Sequence, residues 1–181
     1  FNCSGDMELG NATFHCWRKG GHGVMNIISA LEQSCDVFIY EVALKTGIRK
    51  IKDMAHRLGL GDVTGIGLPG EKQGIIPSHE WKLANQGGVW TPGETVVASI
   101  GQGYVLATPL QLAVMTARLA NGKQAVTPRL VKLIGDAAPD FTPLDIDPYA
   151  LAIIREGMFK VMNGGLGTAR KYNLDKSLGG M

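Results

Sequence analysis

The chain has 181 residues, 45% hydrophobic and 19% charged, with a net charge of +2. That length suits one domain able to bury a core, and the composition excludes a disordered chain. A charge so near balance lacks the basic field of nucleic-acid binders, and no apolar run approaches the ~18 residues of a membrane span.

Residues 1–23 are rich in glycine and polar groups and have little core of their own, whereas 24–181 read as a helical core with few strands. The whole is taken as a single domain. No signal peptide opens the chain, since "FNCSGDMELG" has neither a basic start nor a long apolar stretch. A start at Phe1 and an end in "SLGGM" lead us to expect a piece of something longer. Val24, Ile27, Ile28 and Leu31 are spaced i, i+3, i+4, i+7, which predicts a first amphipathic helix. "DVFIYEVALKTG" (36–47) predicts an interior helix, with Asp36 as its N-cap and Gly47 as its stop. "QSCD" (33–36) is then the break between two helices.

Ile48, Ile51, Ala55 and Leu58 mark a third helix, and 62–93 reads mostly as turns. A short apolar helix fits 94–100. Thr108 as N-cap and Pro109 at the first helical position open another, with Leu110, Ala113, Val114 and Ala117 on one face. "AVTPRLVKLIG" (125–135) predicts an edge strand, and Leu151, Ile154, Met158 and Val161 a last helix. His56 and His79 read as solvated surface groups. Trp81 and Trp90 either pack a glycine-rich loop or line a surface. "GIGLPG" (65–70) lacks the G-K-[ST] ending and the preceding strand of a phosphate loop.

All three cysteines lie early: Cys3, Cys16 and Cys35, with His22 between the last two. Three thiolates and an imidazole make a full tetrahedral set for a structural zinc, leaving no open position for catalysis. The competing arrangement is a Cys3–Cys16 disulfide with Cys35 as a small buried hydrophobe. His15 would point away from Cys16 in an extended segment. Spacing alone leaves both arrangements open.

Ser34 and Asp36 also carry two readings. Both are common helix-capping residues. The wider pattern supplies the other. "GHGVMNIISALEQSCDVFIY" (21–40), "IGQGYVLATPLQLA" (100–113), "PGEKQGIIPSHEWK" (69–82) and "GGLGTARKYN" (164–173) resemble the transpeptidase domain of class B penicillin-binding proteins, the elongation type called penicillin-binding protein 2. The likeness covers nearly the whole chain. It implies an α+β fold, of which this is the helix-rich central part of a penicillin-binding-protein transpeptidase (β-lactamase-like) fold. It also implies a serine D,D-transpeptidase that cross-links peptidoglycan stem peptides in cell-wall elongation and cell-shape maintenance and is acylated by β-lactams. Such a domain would stand in the periplasm, anchored to the inner membrane, with partners in a cell-wall elongation complex and no cofactor for catalysis.

Such enzymes use S-x-x-K, S-x-N and K-T-G motifs. Ser34 matches the proton-relaying serine, and Asp36 stands where the usual pattern has Asn, so an acceptor-only carboxylate replaces an amide. Lys45-Thr46-Gly47 spells K-T-G, but about eleven residues of helix would put Lys45 roughly 16 Å from Ser34. Those three residues read as a helix end. No serine of the chain is followed three residues later by lysine, so the nucleophile is expected upstream of Phe1 and the true K-T-G after Met181. The chain alone is expected to be inactive. The alternatives are a non-catalytic sensor of the same fold, a zinc-stapled interaction module, or a β-lactamase-like hydrolase, for which no deacylating base can be identified.

Overall fold

The computed structural model describes residues 1–131 and 141–173. It divides into two compact units, one of Phe1–Val42 with the chain from Pro148 onward, the other of Ala43–Asp147. Among the described residues, helices dominate beside two small antiparallel sheets, an α+β arrangement. No described helix is long and apolar enough to cross a membrane.

In the first unit, β1 (Asn2–Cys3) pairs with β4 (Gly23–Val24), and β2 (Asp6–Leu9) with β3 (Ala12–His15). Glycine makes the tight return possible: Gly21 sits at φ 79°, and a Cβ there would overlap the Cys3 carbonyl. The first helix, α1 (Ile27–Glu32), begins later than its hydrophobic stripe predicts. Asn26 Oδ1 accepts from the Ser29 N–H (2.9 Å) and Ser29 Oγ accepts from the Asn26 N–H (3.0 Å), a reciprocal cap that fixes the start. Val24 consequently lies in β4 and is exposed. The long helix α7 (Pro148–Asn163) packs against α1 at Gly157, where a Cβ would overlap the Leu31 side chain.

The interior helix α2 runs Asp36–Thr46, with Val37, Tyr40 and Ala43 buried. Asp36 is its first residue rather than its N-cap. Lys45 and Thr46 end it, as a helix terminus and not as a strand motif, and Gly47 (φ 80°) then caps α3 (Ile48–Arg57).

In the second unit, α4 (His79–Gln86) occupies a stretch predicted as turns. Its eight residues carry only Trp81 and Leu83 as large apolar groups, too few for a readable stripe. Local capping makes the helix instead: Ser78 Oγ accepts from the Trp81 N–H (3.1 Å), and Gly87 closes the far end at φ 66°. Helix α6 (Pro109–Asn121) starts where predicted, and α5 (Pro92–Ser99) begins two residues before the predicted 94–100, each opened by a threonine capping box. The edge strand expected at 125–135 is not formed over 125–131, where the Val126 carbonyl accepts from Arg118 Nε (3.1 Å) instead of from a neighbouring strand. Residues 132–135 lie outside the described residues.

Ile48, Trp90 and Ala98 form a core with Tyr104 and Val105 packed on it. Trp90 Nε1 donates to Thr95 Oγ1 (2.8 Å) inside it, and the Trp81 ring rests on Tyr104 at 5.1 Å, so both tryptophans serve packing. His56 is more than a solvated group, because its Nδ1 meets the Asp62 carboxylate. Gln111 is fully buried yet fully employed. Its Nε2 donates to the Asp62 and Gln73 carbonyls (2.7 Å each), and its Oε1 accepts from the Thr108 N–H (3.0 Å), which ties the 62–74 loop to the start of α6. Replacing Gln111 by Met keeps the volume but strands those three groups. It is expected to lower unfolding free energy by about 2–4 kcal/mol, read from the shift in denaturation midpoint.

Candidate functional site

The junction between α1 and α2 is the centre of the site. Helix α1 ends with the Ser34 N–H donating to the Leu31 carbonyl (3.1 Å) and the Cys35 N–H to the Ala30 carbonyl (2.9 Å). That pair of bonds is a Schellman closure, whose pivot residue must take a left-handed backbone and is usually glycine. Here the pivot is Ser34, at φ 52°. A side chain in that region costs roughly 1 kcal/mol or more, so the structure around it must hold it there. Two buried residues do so: Cys35 and Ala30, joined by the second of these bonds, are both 0% exposed.

Ser34 does not cap a helix. Its side chain is exposed, and Oγ lies 2.8 Å from Thr168 Oγ1, a partner 134 residues away on the loop after α7. Asp36 does not cap main chain within its own helix either: Oδ2 accepts from the Trp17 N–H (2.8 Å). The Trp17 indole Nε1 donates to the carbonyls of Ser34 (2.8 Å) and Gln33 (3.1 Å). Trp17 therefore grips the junction on both sides of Cys35.

Beside this junction, Cys3, Cys16, His22 and Cys35 converge, their ligand atoms all within 4.8 Å of one another. The three cysteines are free thiols and buried. The packing that brings them together is main-chain work: β1 pairs with β4, and the Cys16 N–H donates to the Gly5 carbonyl (2.8 Å). His22 Nδ1 faces the sulfurs of Cys16 (3.4 Å) and Cys3 (3.8 Å), while its Nε2 is buried and its ring meets the edge of Trp17. Burial and the nearby Arg18 charge hold the His22 pKa down, which keeps the imidazole neutral and able to ligate. Burial opposes ionising Cys3, yet hydrogen bonds from the His22 and Gly5 main chain outweigh it and lower that pKa. Burial pushes Cys35 up to about 12, with the neighbouring thiols adding to the rise. Thiols crowded in this way, with an imidazole aimed among them, form a donor set that can hold a metal ion, whose charge would favour the thiolates. His15 is exposed on β3 and lies outside the cluster.

Every sequence-predicted site residue thus falls in one region: Cys3, Cys16, His22 and Cys35 in the cluster, Ser34 and Asp36 flanking Cys35. The sequence pattern does not single out Trp17 or Thr168. Trp17 adjoins Cys16, and Thr168 lies inside the quoted "GGLGTARKYN", but no spacing rule connects either to Ser34.

The helix-rich α+β framework is that of the penicillin-binding-protein transpeptidase fold. The chain belongs to the family described as "Penicillin binding protein transpeptidase domain", whose match spans residues 1–179. It is 38% identical over 181 residues to the peptidoglycan D,D-transpeptidase MrdA of Haemophilus influenzae, a match covering 94% of this chain and 28% of that protein. It is 36% identical over 178 residues to MrdA of Acinetobacter baumannii, covering 92% and 25% respectively. The chain therefore spans about a quarter of the length of these relatives. Among solved structures, it resembles Pseudomonas aeruginosa PBP2 in complex with WCK 5153, with TM-score 0.87, 37% identity, and 96% of this chain against 40% of that one. Helicobacter pylori PBP2 in complex with MreC gives TM-score 0.84 and 35% identity, over 93% of this chain and 32% of the other.

The left-handed pivot makes a stability test available. Ser34→Gly and Ser34→Ala both remove the hydroxyl, but only glycine relieves the backbone. The glycine variant is expected to be the more stable of the two by about 1 kcal/mol in chemical denaturation.

Proposed function

We propose that this chain is the helical part of a peptidoglycan D,D-transpeptidase of the elongation type, in which Ser34 relays a proton. The observation that carries the reading is the placement of Ser34: an exposed hydroxyl on a strained, over-determined corner, with its side chain turned away from local main chain. A capping serine would bond the N–H groups of its own helix. A serine that hands on a proton needs its oxygen held still and open to a reaction cleft.

The activity belongs to the whole protein. Its S-x-x-K serine would attack the stem-peptide carbonyl, and the amine that departs needs a proton. Ser34 would deliver that proton and regain one from a lysine ammonium. Asp36, with one oxygen engaged by the Trp17 N–H, would use the other to anchor a lysine. As a carboxylate it would not donate to a substrate carbonyl. Covalent β-lactam binding would run through the same nucleophile. By analogy with the relative solved in complex with MreC, the protein would work in an elongation complex, as a periplasmic domain tethered to the inner membrane.

The metal, on this reading, is zinc held by Cys3, Cys16, His22 and Cys35. Four protein ligands make it structural, fastening the 1–23 segment to the Ser34 corner. Purified protein is expected to hold about one zinc per chain. Metal analysis that finds none in protein purified without chelator overturns this part of the reading.

In the whole enzyme, Ser34→Ala is expected to slow acylation by a fluorescent penicillin by about 10²–10⁴-fold. An unchanged acylation rate returns Ser34 to a purely structural part.

A further inference from the structure

We infer that Thr168 is the positioning residue that sets the Ser34 hydroxyl for proton transfer, an inference that rests on the relay proposed above. The two hydroxyl oxygens are 2.8 Å apart. This bond joins the end of α1 to the loop that follows α7, and the loop is fastened at several points. The Thr168 N–H donates to the Glu32 carbonyl (3.2 Å), and the Leu166 N–H to Glu32 Oε1 (3.2 Å). The Ala169 N–H donates to the Val161 carbonyl (3.1 Å), which ties the loop back to its own helix. Two glycines let it approach so closely. A Cβ on Gly164 would overlap the Glu32 carboxylate, and one on Gly167 would overlap the Lys160 and Val161 carbonyls.

Thr168 is therefore clamped, through its main chain, to the residue two positions before Ser34. Its branched side chain has few χ1 choices, whereas serine rotates among three. A stiff threonine on a fixed loop selects one rotamer for a serine that would otherwise sample several. Proton direction follows from what a relay requires. Thr168 O–H donates to Ser34 Oγ, which leaves the serine hydrogen free for the departing amine. As the amine gains its N–H bond, the Ser34 O–H bond breaks. The transient oxygen keeps the Thr168 hydrogen bond until a protonated lysine restores its hydrogen, so no proton is created or lost.

The test uses the whole transpeptidase and the acylation rate by a fluorescent penicillin, with thermal unfolding as the folding control. Thr168→Val, which keeps the shape and deletes the hydroxyl, is expected to slow acylation about 10–100-fold, up to the ~10²-fold that a misplaced reacting group can cost. Thr168→Ser is expected to recover the rate to within about threefold, because it restores the donor. Added to Ser34→Ala, Thr168→Val should slow the reaction no further, since both act on one step. If Thr168→Val does not fold, Thr168→Ala is read by the same criteria. The inference is overturned if Ser34→Ala is slow while Thr168→Val matches the parent. It is overturned equally if Thr168→Val slows the Ser34→Ala background as much as the parent, the mark of a general structural loss. If Ser34→Ala itself acylates normally, the relay fails and takes this inference with it, an outcome distinct from the other two.

Discussion

The site depends on one backbone angle. Ser34 occupies the left-handed pivot of a helix closure at φ 52°, a place where glycine would cost nothing. Without Cβ there would be no hydroxyl, so the position exchanges stability for a functional group. Such strain persists only when the surroundings over-determine it. Here the determination is visible in the two main-chain bonds of the closure and the burial of Ala30 and Cys35 at its ends.

Two distant parts of the chain converge on that corner. From the N-terminal side, Trp17 holds the carbonyls of Gln33 and Ser34 with its indole and the Asp36 carboxylate with its amide. Trp17 follows Cys16, and Cys35 lies between Ser34 and Asp36, so the metal-competent cluster and the serine corner share one stretch of backbone. From the C-terminal side, the loop after α7 docks on Glu32 and delivers Thr168. Ordering one side therefore restrains the other.

The second unit follows a different economy. Beside its apolar core, its loops are tied by buried and half-buried polar groups: Gln111 joins Asp62, Gln73 and Thr108, and Glu94 pairs with Lys82 while capping Thr91. Burial works against ionising Glu94, but its bonds to Lys82 and Thr91 more than offset that and lower its pKa. Such a glycine-rich unit has too few large side chains to fill its loops, and satisfied polar contacts supply the missing order.

Much of this was legible in the amino-acid order because it is local. The helix stop at Gly47, the Thr108-Pro109 opening of α6 and the misleading Lys45-Thr46-Gly47 are decided by capping and propensity within a few residues. The Cys/His set was legible as chemistry, though not as an arrangement, since spacing leaves thiol pairing and metal ligation equally open. Where a short element lacks a stripe, as in α4, or where a cap overrides one, as Asn26 does at Val24, periodicity misleads. Only the tertiary structure decided the rest. The left-handed Ser34 closes a local turn where no glycine marks it, while its Thr168 partner and the Trp17 grip depend on contacts spanning 16 to 134 residues, and hydrogen bonds of that reach are set by how helices pack.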